Sequence, residues 1–353
     1  MEFESIIIGP DASVKEALKQ LDKSAEKILF VVDDDDRLVG SLTDGDIRRW
    51  ILADGSLEEK VSVVCFKGTY FVRRAHDIEK VKEEMLKRKI VYVPVVDVEK
   101  RIVEFLIWDK LFGGKLKRKT KEKLNIPVVI MAGGKGTRLD PFTRILPKPL
   151  IPIGDKSIME LIIDKFLEYE VKHFYLSVNH KSKIIKSYFE ELKPPYGITY
   201  LYEEQPLGTA GALKQLENQV QGNILLTNCD IIIDADYSDV LIHHTAVENE
   251  ITAVASVKNF RIPYGICEIK NGGTLITIRE KPEYSHLVNT GMYIINTSIL
   301  KHMPENTPFH ATDLIDKAIS LGKKVGVYPI SENSWIDIGE WVEYRKALEK
   351  LTK

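Results

Sequence analysis

The chain has 353 residues and a formal net charge of −2 at pH 7. The length predicts two or three domains, and the nearly balanced charge argues against binding to nucleic acid or to an anionic membrane. No apolar run approaches the ~18 residues that span a bilayer, and the acidic residues 1–4 are unlike a signal peptide. The three cysteines lie far apart without metal-ligand spacing. These features predict a cytoplasmic protein with reduced thiols.

An internal repeat occupies the first third of the chain. When the sequence is shifted by 64 residues, residues 28–33 match residues 92–97 and residues 37–39 match residues 101–103 without a gap. Apolar residues with the spacing of one helix face also match: Val14, Ala17 and Leu21 with Ile78, Val81 and Met85. Each copy therefore predicts a helix, a buried strand, a tight turn, a second strand and a second helix. Such a short repeat cannot close its own core, so we expect the two copies to pack on each other.

A glycine- and lysine-rich segment at residues 113–121 follows the repeat. Its lack of periodicity is typical of a solvated linker, although a basic strip of this kind can also bind phosphate or a partner. We therefore predict the two repeats at about residues 1–62 and 63–114, a linker at residues 115–124, and a larger domain at residues 125–353.

In the larger domain, strand patterns alternate with helix patterns. Apolar runs at residues 127–131, 174–178 and 224–227 predict strands that are buried on both faces. Residues 157–160 have the spacing of a capping box and predict the start of a helix that ends near Tyr169. The alternation predicts an α/β fold with a Rossmann-like, mixed but mostly parallel sheet and helices on both faces. In such a sheet, ligands bind at the carboxyl ends of the strands.

A glycine-rich segment, residues 132–139, follows the first of these strands. It is not a P-loop, because no Gly-Lys-Ser/Thr occurs at the required spacing, and Leu139 stands where a dinucleotide fingerprint needs its third glycine. Bare backbone amides in such a turn can approach a phosphate closely. Arg138 adds a bidentate cation, and Lys148 is presented from a stiff segment between two prolines. The segment therefore predicts a phosphate-binding site.

The glycine-rich segment and the Pro147-Lys148-Pro149 run resemble the signature of the sugar-1-phosphate nucleotidylyltransferases. Further segments match that family in its own order, so the resemblance covers about residues 126–340. They are residues 204–212, similar to a nucleotide-base loop; residues 228–230 and 335–339, each similar to a segment with a metal aspartate; and residues 264–265, 280–282 and 289–291, similar to sugar-phosphate contacts.

The resemblance implies a role for each matching residue. Nucleotide binding is implied for Ala132, Gly133, Gly134, Gly136, Thr137, Gln205, Gly208 and Thr209. Sugar-phosphate binding is implied for Tyr264, Gly265, Glu280, Lys281 and Asn289. Asp230 and Asp337 suit Mg²⁺, an ion that keeps waters and binds phosphate oxygens beside one or two carboxylates. The implied catalytic residues are Arg138, Lys148, Asp230 and Lys281. Two anions must meet, so the site needs cations: the arginine and the two lysines supply positive charge, and Asp230 would hold Mg²⁺.

The base and the sugar also depend on the resemblance. Residues 208–212 are closer to the guanylyltransferase branch, so GTP is expected, with uridylyl or thymidylyl transfer as the alternative. Glucosamine 1-phosphate is the expected sugar, with mannose or heptose 1-phosphate as alternatives. The chain stops one helix after Trp335, which argues against a bifunctional acetyltransferase and against the ADP-glucose enzymes. From another class, the alternative is a non-catalytic nucleotide-sensing scaffold. Cys229 is interpreted as a packing residue, and no metal site is expected at the His243-His244 pair.

The repeat resembles a tandem pair of CBS domains, modules that often bind adenine nucleotides. Residues 40–46 fit the ribose motif of that family, which implies a regulatory nucleotide at Thr43 and Asp46. The equivalent positions of the second copy have other side chains: Glu104, Ile107 and Lys110. The alternative is a dimerising platform without a nucleotide, and a homodimer or larger assembly is expected in either case. The four aspartates at residues 33–36 are interpreted as a hairpin turn and not as a calcium site. The whole layout resembles guanylyltransferases of nonulosonic acid pathways, such as that of legionaminic acid.

Overall fold

The computed structural model describes residues 3–24, 26–88, 90–108, 111 and 122–351. The chain divides into two compact units, residues 1–120 and residues 121–353, and each is described by itself. The predicted linker lies mostly outside the described residues.

The first unit contains two small sheets and their helices. The elements are β1 (Ile7–Ile8), α1 (Val14–Ser24), β2 (Ile28–Val32), β3 (Leu38–Thr43), α2 (Asp44–Leu52), α3 (Val61–Val64), β4 (Val72–Arg73), α4 (Ile78–Arg88), β5 (Tyr92–Val96) and β6 (Ile102–Ile107). The sheet orders are β1-β2-β3 and β4-β5-β6. A shift of 64 residues maps both ends of α1, β2 and β3 onto those of α4, β5 and β6. The helix, strand, turn and strand predicted for each copy are therefore confirmed, and α2 is the second helix predicted for the first copy. The second helix predicted for the second copy lies mostly outside the described residues.

The two copies meet through their hairpin turns. Leu38 donates a backbone hydrogen bond to the Lys100 carbonyl at 2.9 Å, and Ile102 donates one to the Asp36 carbonyl at 3.3 Å. These two bonds are related by the 64-residue shift, so the turns pair with internal two-fold symmetry. The rings of Phe30 and Phe105, one from each copy, have centroids 4.9 Å apart. The expected packing of the copies on each other is confirmed.

The run of aspartates at residues 33–36 forms the first of these turns. One carboxylate oxygen of Asp33 accepts hydrogen bonds from the backbone N–H groups of Asp35 and Arg37. Asp36 adopts the left-handed conformation, with φ 62°. Among the described residues, no group of three or more His, Cys, Asp or Glu side chains could hold a metal ion. The acidic run is therefore a hairpin turn, as predicted.

The second unit is built on one large sheet. Its strands are β7 (Val128–Met131), β8 (Pro152–Ile153), β9 (Lys156–Ser157), β10 (His173–Val178), β11 (Gly197–Tyr202), β12 (Asn223–Asn228), β13 (Ile231–Ile233), β14 (Ile251–Arg261), β15 (Ile266–Lys270), β16 (Thr274–Arg279), β17 (Glu283–Asn296), β18 (Val325–Ile330) and β19 (Trp335–Asp337). Its helices are α5 (Ile158–Leu167), α6 (Ser182–Leu192), α7 (Tyr237–Ala246), α8 (Ala311–Ser320) and α9 (Trp341–Leu351).

The large sheet has the order β11-β10-β7-β12-β17-β14-β18. All neighbouring strands are parallel except the two pairs that involve β17. The predicted α/β fold with a mixed, mostly parallel sheet is confirmed. The carboxyl ends of β7, β10, β11 and β12 consequently meet at one edge, where their following loops can form a site.

Side chains that alternate along β7 fill two cores. Val128 and Ile130 pack on one face of the sheet with residues of α5, α6 and α7, whereas Val129 and Met131 pack on the other face with α8. The helix α5 begins at the predicted capping box, in which Ser157 and Glu160 bond each other's backbone N–H. No helix of the described residues combines the length and the apolar character needed to cross a bilayer.

Candidate functional site

A cavity of about 400 Å³ lies at the carboxyl edge of the sheet. It is lined by Arg138, Thr209, Asn228, Asp230, Ile231, Asn289, Thr290, Gly291, Tyr293, His310, Thr312, Trp335 and Asp337. Five residues of the predicted site are in this lining: Arg138, Thr209, Asp230, Asn289 and Asp337. Segments that are up to 200 residues apart in the sequence therefore contribute to one cavity.

A short two-stranded ladder brings the two predicted metal aspartates together. In the pairing of β13 with β19, Ile231 lies opposite Asp337, and the Ile338 N–H donates to the Asp230 carbonyl at 2.7 Å. Burial raises the pKa of Asp337, and the charge of Asp230 raises it further, against the opposing effect of the Gly339 N–H donor. Two carboxylates thus share a partly buried site in which a cation is favourable.

Lys148 already supplies one cation to this site. Its Nζ lies 2.6 Å from Oδ2 of Asp230, and the lysine is only 7% exposed. Lys148 lies between Pro147 and Pro149 and begins a single 3₁₀ turn, Lys148–Leu150. This segment holds the lysine as the sequence predicted, with its amino group directed to the aspartate after β12.

The glycine-rich turn packs directly on this lysine. Gly136 has φ +66°, and a β-carbon added there would lie 2.9 Å from Cβ of Lys148. Gly134, in contrast, has no heavy atom within 4 Å of such a β-carbon. Thr137 begins a 3₁₀ turn, Thr137–Leu139. One glycine is therefore required by the backbone and the packing, while the other leaves open space above the turn.

The helix α9 braces the segment that follows the glycine-rich turn. Arg138 forms an ion pair with Glu340, with 3.3 Å between Nη1 and Oε1. The indole N–H of Trp341 donates to the Asp140 carbonyl at 2.7 Å, and its ring lies 4.9 Å from that of Phe142. Sequence reasoning missed these contacts, because nothing in the linear spacing connects the last helix with the turn.

The predicted base loop, residues 204–212, is fastened to the start of α8. The Phe309 N–H donates to the Leu207 carbonyl at 2.8 Å, and the Ala210 N–H donates to the Phe309 carbonyl at 3.0 Å. Gly208 has φ +80°, and a β-carbon there would lie 2.8 Å from the Phe309 oxygen. Thr209 Oγ1 accepts from the Ala311 N–H at 3.0 Å. This packing explains the position of Gly208.

One residue of this loop and two residues at the start of α8 are placed as follows. The Gln205 side-chain amide donates to the Asn306 carbonyl at 2.7 Å, which leaves its second N–H and its oxygen for the predicted contact with a nucleotide. His310 and Thr312, at the start of α8, line the cavity and were missed from the sequence. The spacing of His310 and Asp313, which form a capping box, could have indicated the helix start but not its place beside the cavity.

The predicted sugar-phosphate residues occupy two places. Asn289 lies in the cavity lining, where its Nδ2 donates to the Tyr293 hydroxyl at 2.6 Å. Four others lie at the base of the β15–β16 hairpin and are outside this lining, as far as the described residues extend: Tyr264, Gly265, Glu280 and Lys281. They are near one another, since a β-carbon on Gly265 would lie 2.9 Å from Oε2 of Glu280. The structure therefore brings Asn289, but not the hairpin residues, into the cavity.

Cys229 and His244 are structural residues. Burial raises the pKa of the Cys229 thiol to about 12, so it stays protonated and packs in the core beside Asp230, as predicted. His244 Nδ1 lies 2.8 Å from Thr252 Oγ1, and Nε2 lies 3.2 Å from Asn223 Oδ1. Burial lowers the pKa of His244 to about 4. Its neutral ring joins α7, β12 and β14.

In the first unit, Thr43 and Asp46 cap a helix. Asp46 N–H donates to Thr43 Oγ1 at 3.2 Å, and Thr43 N–H donates to Asp46 Oδ2 at 2.8 Å. Arg49 forms an ion pair with the same carboxylate. Both predicted ribose-binding side chains therefore have local partners at the start of α2. The Thr-x-x-Asp spacing of a capping box was the signal for this role.

A larger cavity of about 690 Å³ holds none of the predicted site residues. It is mostly apolar and lies between the β8–β9 hairpin and α6. The smaller cavity is the candidate functional site, because its lining includes the paired carboxylates and Arg138, and Lys148 is bonded to one of those carboxylates.

The family model of nucleotidyl transferases matches residues 127–353. The chain belongs to the nucleotidyl transferase family. A second model, for the CBS domain, matches residues 1–53. The resemblance to sugar-1-phosphate nucleotidylyltransferases with an N-terminal CBS domain is therefore confirmed.

Curated relatives match the nucleotidyl transferase region. "Bifunctional protein GlmU" from Methanococcus maripaludis is 34% identical over 220 residues, covering 60% of this chain and 51% of that protein. The chain thus spans about half the length of this relative. "D-glycero-alpha-D-manno-heptose 1-phosphate guanylyltransferase" from Campylobacter jejuni is 28% identical, covering 61% of this chain and 96% of that protein. The crystal structure of HddC from Yersinia pseudotuberculosis, at 24% identity, has the same fold, with a TM-score of 0.51 and coverage of 64% of this chain and 99% of that one.

The carboxylates of this nucleotidyl transferase fit a divalent cation. Asp230 directly precedes β13 and Asp337 ends β19, so the ladder of these two strands brings their carboxylates near each other. Burial raises the pKa of Asp337, and the charge of Asp230 raises it further. Hard oxygen ligands of this kind suit Mg²⁺, which completes its shell with waters and phosphate oxygens.

Proposed function

We propose that the nucleotidyl transferase unit joins a nucleoside triphosphate to a sugar 1-phosphate. The observation that carries this proposal is the gathering of Asp230, Asp337 and Arg138 in one cavity, with Lys148 bonded to Asp230. An oxygen of the sugar phosphate attacks the α-phosphorus and forms a new P–O bond. The bond from the α-phosphorus to the bridging oxygen breaks in line, and pyrophosphate leaves with the electron pair. The attacking group is already an oxyanion, so no protein nucleophile is needed.

The cationic side chains hold the charge of this reaction. Arg138 and Lys148 stabilise the negative charge that develops on the α-phosphate and the leaving pyrophosphate. Mg²⁺ held by Asp230 and Asp337 would neutralise phosphate charge and polarise the α-phosphorus. The glycine-rich turn offers backbone amides to the phosphates. Lys281 and Glu280 hold the phosphate and the hydroxyls of the sugar, with Asn289 contributing from inside the cavity.

We propose GTP as the nucleotide and glucosamine 1-phosphate as the sugar. The resemblance of residues 208–212 to the guanylyltransferase branch supports GTP, as does the guanylyltransferase named among the relatives. UTP or dTTP, and mannose or heptose 1-phosphate, are the alternatives.

Pyrophosphate release tests the proposed function. The full chain with Mg²⁺ is given each NTP in combination with each of these sugar 1-phosphates. Turnover with GTP is expected, and Asp230→Asn should abolish it in a chain that still folds, with a lower melting temperature because Lys148 loses its counter-ion. Turnover with another NTP corrects the base alone. If no pair turns over while nucleotides still bind, the chain is a nucleotide-sensing scaffold and the proposed activity is wrong.

The first unit would regulate this activity by binding an adenine nucleotide through Thr43 and Asp46, within a homodimer or larger assembly. Calorimetry with AMP, ADP and ATP tests the binding, and light scattering tests the assembly. Absence of heat with all three nucleotides would leave Thr43 and Asp46 as a helix cap only.

A further inference from the structure

Glu203 is a buried carboxylate that the proposed mechanism does not use. It directly follows β11 and is only 7% exposed. Its Oε2 accepts a hydrogen bond from the Leu207 N–H at 2.8 Å, and its Oε1 accepts one from the Ser177 hydroxyl. The backbone is also fixed: Glu203 N–H donates to the Val178 carbonyl at 3.0 Å, and Asn179 Nδ2 donates to the Glu203 carbonyl at 2.7 Å.

This side chain lies between the base loop and the glycine-rich turn. A β-carbon added to Gly133 would lie 3.0 Å from Oε1 of Glu203, so the carboxylate is in direct reach of the turn. Through Leu207 N–H it also holds the base loop, whose opposite side is held by Phe309. The carboxylate therefore joins β10 to the base loop by hydrogen bonds and lies against the glycine-rich turn that follows β7.

We propose that Glu203 is a positioning residue for the nucleotide. Its carboxylate fixes the base loop relative to the glycine-rich turn, and it acts through the Leu207 amide without touching the base. The inference rests on the proposed function, which assigns these two segments to the NTP. A carboxylate suits this place because its two oxygens can accept hydrogen bonds from two donors at once.

The position of the base loop should affect binding more than chemistry. Without the carboxylate, Leu207 N–H and the Ser177 hydroxyl lose their buried acceptor, and the loop shifts to satisfy them. The reacting phosphates are held by other groups, Arg138 and Lys148. A displaced loop should therefore raise the KM for the NTP and leave kcat nearly unchanged.

Three variants test the inference in the full chain: Glu203→Ala, Glu203→Gln and Ser177→Ala. We would measure kcat and KM for GTP and for ITP, which lacks the 2-amino group of guanine, and GTP binding by calorimetry without sugar phosphate. Glu203→Ala should raise both KM values by a similar factor of about ten or more, with kcat changed less than about threefold. Glu203→Gln should stay within about threefold of wild type, because its amide oxygen accepts from Leu207 and the Ser177 hydroxyl can rotate to accept from its NH₂. Ser177→Ala retains the Leu207 bond and should have a smaller effect than Glu203→Ala.

Several results would overturn the inference. A larger effect of Glu203→Ala on GTP than on ITP means that the carboxylate contacts the base. If Glu203→Ala lowers kcat at an unchanged KM, Glu203 takes part in the chemical step. If it changes neither kcat nor KM, the hydrogen bond from Glu203 to the base loop is not needed for nucleotide binding. If Glu203→Ala does not fold, Glu203→Gln is the deciding variant. A loss of GTP affinity of more than about tenfold in Glu203→Gln would contradict the inference, because its amide should replace both hydrogen bonds of the carboxylate. Calorimetry keeps the inference testable if wild type binds GTP without turnover, and absence of GTP binding by wild type overturns it together with the proposed base.

Discussion

The amino group of Lys148 lies 2.6 Å from Oδ2 of Asp230, and the two residues come from segments 82 positions apart in the sequence. The lysine neutralises one of the two carboxylates proposed to hold the metal. The same side chain is proposed to meet the phosphates, and its contact with Asp230 places it beside the proposed metal site.

Lys148→Met should reduce both stability and turnover. The variant leaves the Asp230 carboxylate in a largely buried place without its cation, which should cost about 3 kcal/mol of unfolding free energy. Turnover should fall by about 100-fold or more, because a cation at the developing phosphate charge is lost. The double variant Lys148→Met/Asp230→Asn should regain much of the stability but no activity. Urea unfolding and pyrophosphate release measure the two effects, and equal stability of the single and double variants would contradict the pairing.

Gly136→Ala and Gly134→Ala should differ sharply, although both lie in one turn. An alanine at position 136 would have to adopt φ +66°, and its β-carbon would lie 2.9 Å from Cβ of Lys148. The free energy of unfolding of this variant should therefore fall by about 1–3 kcal/mol. Gly134→Ala meets no atom and should melt within about one degree of wild type. Thermal unfolding of the two variants, side by side, provides the measurement. An equal loss in both would show that the turn is not organised as described.

The buried His244 should make stability depend on pH. Its pKa is lowered by burial from 6.5 to about 4, so between these values the unfolded chain binds a proton that the folded chain does not. The free energy of unfolding should therefore fall as the pH drops through this window, by about 1.6 kcal/mol between pH 6.5 and 5, and change little through this residue above about pH 7.5. Urea unfolding of wild type and His244→Gln at both pH values measures the difference. His286→Gln, at an exposed histidine, is the control and should retain the wild-type slope.

Thr43→Ala should destabilise the first unit even without a nucleotide. The variant removes the side-chain acceptor at the start of α2, which should cost about 1 kcal/mol, whereas Thr43→Ser retains the acceptor and should cost little. Thermal unfolding without added nucleotide separates this effect from ligand binding. Equal melting of the two variants would contradict the capping role.

Local sequence patterns predicted the elements well. Because a gapless repeat must place equivalent residues in equivalent structure, the 64-residue shift predicted β5 and β6 from β2 and β3. Ser157 and Glu160 likewise predicted the start of α5, since a capping box depends on residues three positions apart. The strand-end loops that carry Asp230 and the glycine-rich turn follow from the rule that parallel strands present their carboxyl ends together.

Contacts between distant segments could not be predicted in this way. Glu203 is one of several acidic residues in the sequence, and only the fold shows that its carboxylate is buried against Ser177. Trp341 begins the last helix and Glu340 directly precedes it, and their place beside residues 138–142 depends on how the chain returns to the sheet. For Thr43 and Asp46 the local pattern was ambiguous instead, because their spacing fits both a ribose motif and a capping box.

The paired hairpin turns of the first unit, joined by Leu38 with Lys100 and Ile102 with Asp36, give one polypeptide the geometry of a symmetric dimer. In a true dimer of identical chains, every substitution occurs in both halves at once. Here the halves are encoded separately, so Thr43 can remain in one copy while Ile107 stands in the other. One copy can therefore carry ligand-binding side chains while the other copy only packs against it. A dimer of identical single repeats does not permit such a difference between its halves.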